Sequence, residues 1–170
     1  MTKVIMHGCN GKMGQMITGI IASDPEIEIV AGVDTSDHIK NAYPVFPSIA
    51  ECDVAADVVI DFCVTQTVDG LLDYCVEKQI PCVLCTTGLS EAQLAHVEEA
   101  SGKVAVLRSA NMSLGINMLF KILREAAQIL LPSGFDVEIV EKHHNLKVDA
   151  PSGTALALAD SINEAFGNEY

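Results

Sequence analysis

A chain of 170 residues with 49% hydrophobic and 19% charged content is globular rather than disordered, and suits one ordinary domain or one domain and part of another. Its 10 Lys and Arg stand against 23 Asp and Glu, for a formal net charge of -13, which argues against nucleic acid or an anionic membrane surface as a partner, since both require a basic face. No apolar run approaches the roughly 18 residues of a membrane span, and the N-terminus passes straight into Lys3-Val-Ile-Met-His7 without a signal-peptide pattern, so a cytoplasmic protein with no membrane partner is expected.

Lys3 to His7 is a short apolar run that reads as a buried strand, and Gly8-Cys-Asn-Gly-Lys-Met-Gly14 follows at once, leading into the helical spacing of Met13, Met16, Ile17, Ile20 and Ile21. In a strand, glycine turn and helix of this kind, Gly8 permits the tight turn, Gly11 lets the backbone approach a pyrophosphate, and Gly14 allows the helix to pack closely on the strand. Asn10, Lys12 and Met13 lie in the same turn and are candidate cofactor contacts with the three glycines. Asp24-Pro25 closes the helix, and Glu28 to Val33 forms a second strand ending at Asp34, twenty positions after Gly14. An acidic residue at that distance suits a ribose with a free 2′-hydroxyl. Thr35-Ser36-Asp37 offers no arginine for a 2′-phosphate, so NADH is favoured over NADPH, with Lys40 leaving NADPH use open.

Asn41 to Asp53, with Pro44 and Pro47, reads as a loop holding one short helix at most, and Asp57-Val-Val-Ile-Asp-Phe62 as another buried strand. Thr65 to Gln79 is helical, Pro81 to Cys85 a strand, Ser90 to Ser101 a helix capped by Ser90, and Lys103 to Arg108 a strand. Five alternations of strand and helix predict an α/β fold with a doubly wound, Rossmann-like parallel sheet, whose ligand lies at the carboxyl ends of the strands. Six cysteines, Cys9, Cys52, Cys63, Cys75, Cys82 and Cys85, are spread through apolar segments and read as reduced core residues. Cys82 and Cys85 have redox or zinc spacing, but on a strand they face opposite sides and no second pair completes four ligands, so no metal site is expected.

Ser113 to Leu131 is a long amphipathic helix broken by Pro132-Ser133-Gly134, and the boundary of the nucleotide domain is placed near residue 112, with residues 113-170 the start of a second, α+β substrate domain. Phe135 to Ile139 alternates apolar and polar residues, which predicts a half-buried strand running toward His143. His143 and His144 would then face opposite sides unless the strand has ended. Lys142, His143, His144 and Lys147 fall within six residues of an otherwise acidic chain and offset its field locally for an anionic substrate. Pro151 cannot continue a ladder, and Ser152, Gly153 and Thr154 supply two hydroxyls and an unhindered backbone at the start of a helix over Ala155 to Phe166. A helix start of that kind suits a carboxylate or phosphate.

Glu-x-His-His-x-x-Lys-x-Asp-Ala-Pro-Ser-Gly-Thr-Ala, standing at Glu141 to Ala155, resembles the signature of bacterial dihydrodipicolinate reductases, the 4-hydroxy-tetrahydrodipicolinate reductases of lysine and diaminopimelate synthesis. The likeness extends through Gly8 to Gly14, Asp34, Thr86-Thr87-Gly88 and Ala110-Asn-Met-Ser-Leu-Gly-Ile-Asn117. It implies hydride transfer from NAD(P)H to a cyclic unsaturated dicarboxylic imine, with His143 as acid/base residue, Lys147 as proton donor or anchor, and His144, Ser152, Gly153 and Thr154 on a substrate carboxylate. Asp61-Phe62 resembles the segment beneath the nicotinamide ribose. Thr86 and Thr87 match the family's Gly-Thr-Thr-Gly, in which Cys85 replaces the first glycine, and Ser109, Ala110, Asn111 and Met112 match a segment near the nicotinamide. The resemblance also implies a small-molecule dicarboxylate substrate and a homo-oligomer, tetrameric in the family. Members continue well past the equivalent of Tyr170, so the chain is read as a piece of a longer reductase. The rival readings are another nicotinamide dehydrogenase of amino-acid metabolism, which would share Gly8 to Asp34 but needs no His-His-x-x-Lys, and a cofactor-sensing module without turnover.

Overall fold

A computed structural model describes residues 1–109, 111–145, 147 and 150–167. The chain divides into two compact units, Met1–Ser109 and Ala110–Tyr170. The first begins with β1 (Thr2–His7), α1 (Lys12–Ile21) and β2 (Ile27–Val33), followed by the two-residue β3 (Val45–Phe46). After a 3₁₀ turn come β4 (Val58–Asp61), α2 (Val68–Lys78), β5 (Cys82–Leu84), α3 (Glu91–Ser101) and β6 (Val106–Arg108). The six strands are all parallel and lie in the order β3-β2-β1-β4-β5-β6. The chain thus winds outward from β1 to β3, returns to β4 beside β1, and winds outward again. That reversal opens a crevice above the carboxyl ends of β1 and β4, where this class of sheet takes its ligand.

The five strands and the α/β class expected from the alternation are present, with β3 as an addition. It lies in the segment read as a loop, because two residues between Pro44 and Pro47 carry no periodicity. Gly32 donates to the Pro44 carbonyl at 2.9 Å and Asp34 to that of Phe46 at 3.0 Å, an edge position where proline's missing N–H costs nothing. Strands buried on both faces read as near-continuous apolar runs. Ile5, Val59 and Leu84 accordingly lie fully buried with Leu71, Leu72 and Cys75 of α2, and each leucine or isoleucine so placed contributes about 1.5–3 kcal/mol of transfer free energy. Ser90 caps α3 in a capping box, its hydroxyl accepting from Gln93 N while the Gln93 side chain accepts from Ser90 N.

The second unit holds α4 (Leu114–Leu130) and α5 (Gly153–Glu164). They meet through Ser161, whose buried hydroxyl donates to the Phe120 carbonyl at 3.1 Å, and through Arg124, which pairs with Glu164 at 2.6 Å. The strand expected from Phe135 toward His143 does not form: residues 135–143 have no ladder partner among the described residues, and Phe135, Val137, Ile139 and Val140 are exposed. The alternation is that of a strand, but a strand exists only as a pairing, and isolated extended chain gains no hydrogen bonds to offset its ordering entropy.

Candidate functional site

The crevice of the first unit is built on the turn that joins β1 to α1. Gly8 has φ +81, and a Cβ there would lie 2.6 Å from the Phe62 carbonyl oxygen, so only glycine fits. A Cβ on Gly14 would overlap the Gly8 carbonyl, which fixes how closely α1 lies on the turn. Gly11 is the N-cap of α1 and no side chain caps the helix, so its positive end is left to a ligand. Lys12 and Met13, the first residues of α1, are exposed at this end.

Asp34 stands just past β2 with its carboxylate held in place. One oxygen accepts from Asn10 N at 2.9 Å and the other from Ser36 N at 2.9 Å, leaving lone pairs for further donors. Side-chain amides tie the surrounding loop to the glycine turn. Asn41 donates to Asn10 Oδ1 at 2.7 Å, Gln15 donates to Asn41 Oδ1 at 3.1 Å and to the Cys9 carbonyl at 2.9 Å, and Asn10 Nδ2 donates to the Ser36 carbonyl. Asn10 is therefore a fastener of the loop through its side chain as well as of Asp34 through its backbone. Burial, followed by the Asp34 charge, pushes the Cys9 thiol up to about 11, and that residue stays neutral.

On the other side of the crevice three strand ends share a buried polar cluster. His7, the last residue of β1, donates from Nδ1 to Asp61 Oδ1 at 2.7 Å, and Asp61, the last residue of β4, receives the Thr86 hydroxyl on Oδ2 at 2.6 Å. All three are buried, Asp61 at 0% exposure. Cys63 N lies 3.3 Å from Asp61 Oδ1, and Cys85 N donates to the Asp61 carbonyl at 3.0 Å. The Thr86 side chain turns inward onto Asp61, and the Cys85 N–H is used by the Asp61 carbonyl while its buried thiol is pushed up to about 11, first by desolvation and then by the Asp61 charge. Thr87 and Gly88 are exposed, with Gly88 at φ +75, and Phe62 is half-buried. Ser109, also half-buried, donates its N–H to the Leu84 carbonyl at 3.3 Å.

The second unit brings its own cluster together at the start of α5. Ser152 is the N-cap, its hydroxyl accepting from Ala155 N at 3.1 Å. Glu141 takes the Ser152 N–H at 2.8 Å and the Ser152 hydroxyl at 2.5 Å. Those two bonds, aided by the His143 and Lys147 charges, hold the Glu141 carboxyl below its ordinary value. Ser152 is buried and fully engaged, so its polar groups fasten the loop, and Gly153 and Thr154 remain at the helix start, half-buried. Asn111 Nδ2 donates to Thr154 Oγ1 at 3.1 Å and Asn111 Oδ1 accepts from Ser113 N. His143 Nδ1 lies 3.6 Å from Glu141 Oε2; His143 and His144 are exposed, Lys147 is half-buried and Met112 is exposed. Ala110, expected near the nicotinamide, lies outside the described residues, as do Leu146, Val148 and Asp149 of the signature.

Sequence reading left out His7, Asn41 and the side-chain roles of Asp61 and Glu141. The first and third carry a readable signal: His7 and Asp61 are polar residues closing the apolar runs Val4-Ile5-Met6 and Val58-Val59-Ile60. Asn41 lies in a polar loop and carries none. Among the described residues no group of three or more His, Cys, Asp or Glu is placed to hold a metal ion, and no helix is long and apolar enough to cross a membrane.

Comparison with known proteins gives a consistent result. Residues 2–112 match the family model described as dihydrodipicolinate reductase, N-terminus, and residues 115–169 its C-terminus. The 4-hydroxy-tetrahydrodipicolinate reductase of Caldanaerobacter subterraneus subsp. tengcongensis is 51% identical over 164 residues, 96% of this chain and 64% of that protein. The protein of the same name from Clostridium novyi is 49% identical over 165 residues, 97% of this chain and 65% of that one. The chain therefore spans just under two thirds of the length of these relatives. Among solved structures, dipicolinate-bound dihydrodipicolinate reductase from Paenisporosarcina sp. TG-14 superposes with a TM-score of 0.76 at 29% identity, covering 97% of this chain and 66% of that one. The NADH-bound WlbA dehydrogenase, at 14% identity and a TM-score of 0.58 over 75% of this chain and 39% of that one, shares the fold alone. By both family models and by these relatives, the chain belongs to the dihydrodipicolinate reductase family.

Proposed function

We propose that the protein reduces a cyclic, unsaturated dicarboxylic imine to tetrahydrodipicolinate with a reduced nicotinamide dinucleotide, in the cytoplasm, as a step of lysine and diaminopimelate synthesis. The observation that carries the reading is Asp34, fixed at the tip of β2 by Asn10 N and Ser36 N beside an α1 whose start no side chain caps. A pyrophosphate fits the helix start against Gly8 and Gly11, and a ribose diol fits the remaining lone pairs of Asp34. NADH is the preferred cofactor, because a 2′-phosphate would meet the Asp34 carboxylate, while Lys40, exposed on the same loop, gives NADPH a weaker hold. When bound, the nicotinamide supplies the hydride.

This chain's residues do the rest. His143 holds and moves the proton, with Glu141 beside its Nδ1. Lys147 anchors or protonates the substrate, and His144 with the N–H groups of Gly153 and Thr154 takes a carboxylate, which the α5 dipole favours. Ser152, engaged by Glu141, shapes that helix start without touching the substrate. Ser109, Asn111 and Met112 serve the nicotinamide end, and the working assembly is a homo-oligomer. The test is oxidation of NADH by the full-length protein with the dihydrodipicolinate precursor, and its inhibition by dipicolinate, the molecule bound in the Paenisporosarcina structure. NADH binding without consumption of the precursor would overturn the reading in favour of a sensing module.

A further inference from the structure

A polar cluster buried at the ligand edge of the sheet serves no step described above. Asp61 is at 0% exposure, and its carboxylate is shared between His7 Nδ1 at 2.7 Å and the Thr86 hydroxyl at 2.6 Å, with Cys63 N at 3.3 Å. Burying a carboxylate is costly even when it is fully paired, and apolar residues of the same shape would stabilise the sheet as well or better. Asp61 holds the segment after β5 twice, by its carbonyl on Cys85 N and by its side chain on Thr86, and it holds the segment after β4 through Cys63 N. His7 also accepts from Phe62 N on its carbonyl, so the end of β1 is tied to Phe62 by main chain and to Asp61 by side chain.

The location gives the cluster its ligand half. Asp34 lies beyond β2, on one side of β1, and a dinucleotide whose pyrophosphate rests on α1 places one ribose there and its second nucleoside across the switch point, over β4 and β5. We infer that Asp61, with His7 and Thr86, is a positioning group for that second nucleoside: it turns the Thr86 hydroxyl inward so that Thr87 and Gly88 form the crevice wall against the nicotinamide ribose and ring. The proposal rests on the cofactor reading above and deepens it by assigning the nicotinamide half to a cluster that does not itself touch the ligand. A site of this kind fails by loosening rather than by loss of a contact.

The experiment separates the two halves of the cofactor. ADP carries the adenosine and pyrophosphate but neither the second ribose nor the nicotinamide, and it is titrated beside NADH into the protein and into Thr86→Val and Thr86→Ser. Thr86→Val keeps the shape and removes the hydroxyl, so NADH binding should weaken about ten-fold while ADP stays within about two-fold, and Thr86→Ser should restore NADH binding. Equal weakening of both ligands in a folded Thr86→Val, or unchanged NADH binding by it, overturns the proposal. Should Thr86→Val fail to fold, the isosteric Asp61→Asn is read on the same two ligands with the same expectation. Failure of the unsubstituted protein to bind either ligand overturns the cofactor reading and this one with it, whereas tight and parallel binding in every variant overturns this one alone.

Discussion

The Glu141 carboxylate grips Ser152 at two points, the backbone N–H at 2.8 Å and the hydroxyl at 2.5 Å, while Ser152 caps α5 through Ala155 N. One side chain thus closes the loop that carries His143, His144 and Lys147 onto the helix start. Because the Ser152 bonds favour the charged form, the folded value of Glu141 lies below its ordinary 4.5. The stabilisation is therefore complete above that ordinary value and is lost as pH falls through the folded one. Glu141→Gln should melt below the unsubstituted protein at neutral pH, and the difference should shrink at about pH 3. Thermal scans at the two pH values check this, and an equal gap at both would show that the carboxylate's charge is not what matters.

Asp34→Ala tests the ribose site. On the proposed cofactor reading the lost hydrogen bonds go to a free 2′-hydroxyl, whereas removal of the charge relieves repulsion of a 2′-phosphate, so NADH should weaken by about ten-fold and NADPH by much less. Titration of both cofactors into both proteins decides the matter. Equal weakening of the two would remove Asp34 from cofactor choice.

Much of this arrangement is written in local signals. The run Val4 to His7, the glycines at 8, 11 and 14 and the acidic residue after β2 are each set by short-range chemistry, and the structure places them together as the sequence implies. What escapes the sequence is pairing at a distance. Val45 and Phe46 become a strand only because Gly32 and Asp34 offer N–H groups to their neighbourhood. Phe135 to Ile139 has a strand's pattern but no ladder partner among the described residues, and Thr86 turns inward because Asp61, 25 residues earlier, waits beneath it. The bond of Ser152 to Glu141, eleven residues earlier, is likewise a pairing at a distance.

The bridge between α2 and α3 should make stability depend on pH in two directions. His96 Nδ1 lies 2.8 Å from Asp69 Oδ1 and its Nε2 3.3 Å from Asp73 Oδ1. The Asp69 bond raises His96 above its ordinary 6.5, and the His96 bond lowers Asp69 below its ordinary 3.8. The His96 contribution is complete below 6.5 and lost as pH rises through the raised value; that of Asp69 is complete above 3.8 and lost as pH falls through the lowered one. His96→Ala should thus cost most between those limits. Urea unfolding at about pH 5 and about pH 8.5 should show a larger loss at the lower pH, and the reverse order would show that the bridge works through packing.

Backbone exchange reads the segment that forms no strand. Residues 136–143 have no ladder partner among those described, and the side chains of Val137, Ile139 and Val140 are exposed. Their amides should exchange far faster than those of α4 and α5. Slow exchange across 136–143 in solution, together with a larger mass, would instead reveal strand pairing between copies, the usual relief for an exposed edge.

Turnover in the full-length protein is the sharpest test of the signature. His143 stands exposed beside Glu141, three residues after the apolar end of the segment and four before Lys147. A positioned general acid contributes about 10²–10⁴-fold to rate, so His143→Gln, which keeps a polar side chain but cannot exchange a proton near neutrality, should lower kcat by about a hundred-fold or more. NADH affinity should hardly change, because Asp34 and the glycine turn lie in the first unit. Lys147→Ala removes a cation rather than the acid, so it should raise KM for the dicarboxylate as well as slow turnover. The two substitutions therefore separate chemistry from anchoring. Near-normal kcat in His143→Gln would move the acid to Lys147, and an unchanged KM in Lys147→Ala would leave the carboxylate to His144 and the start of α5.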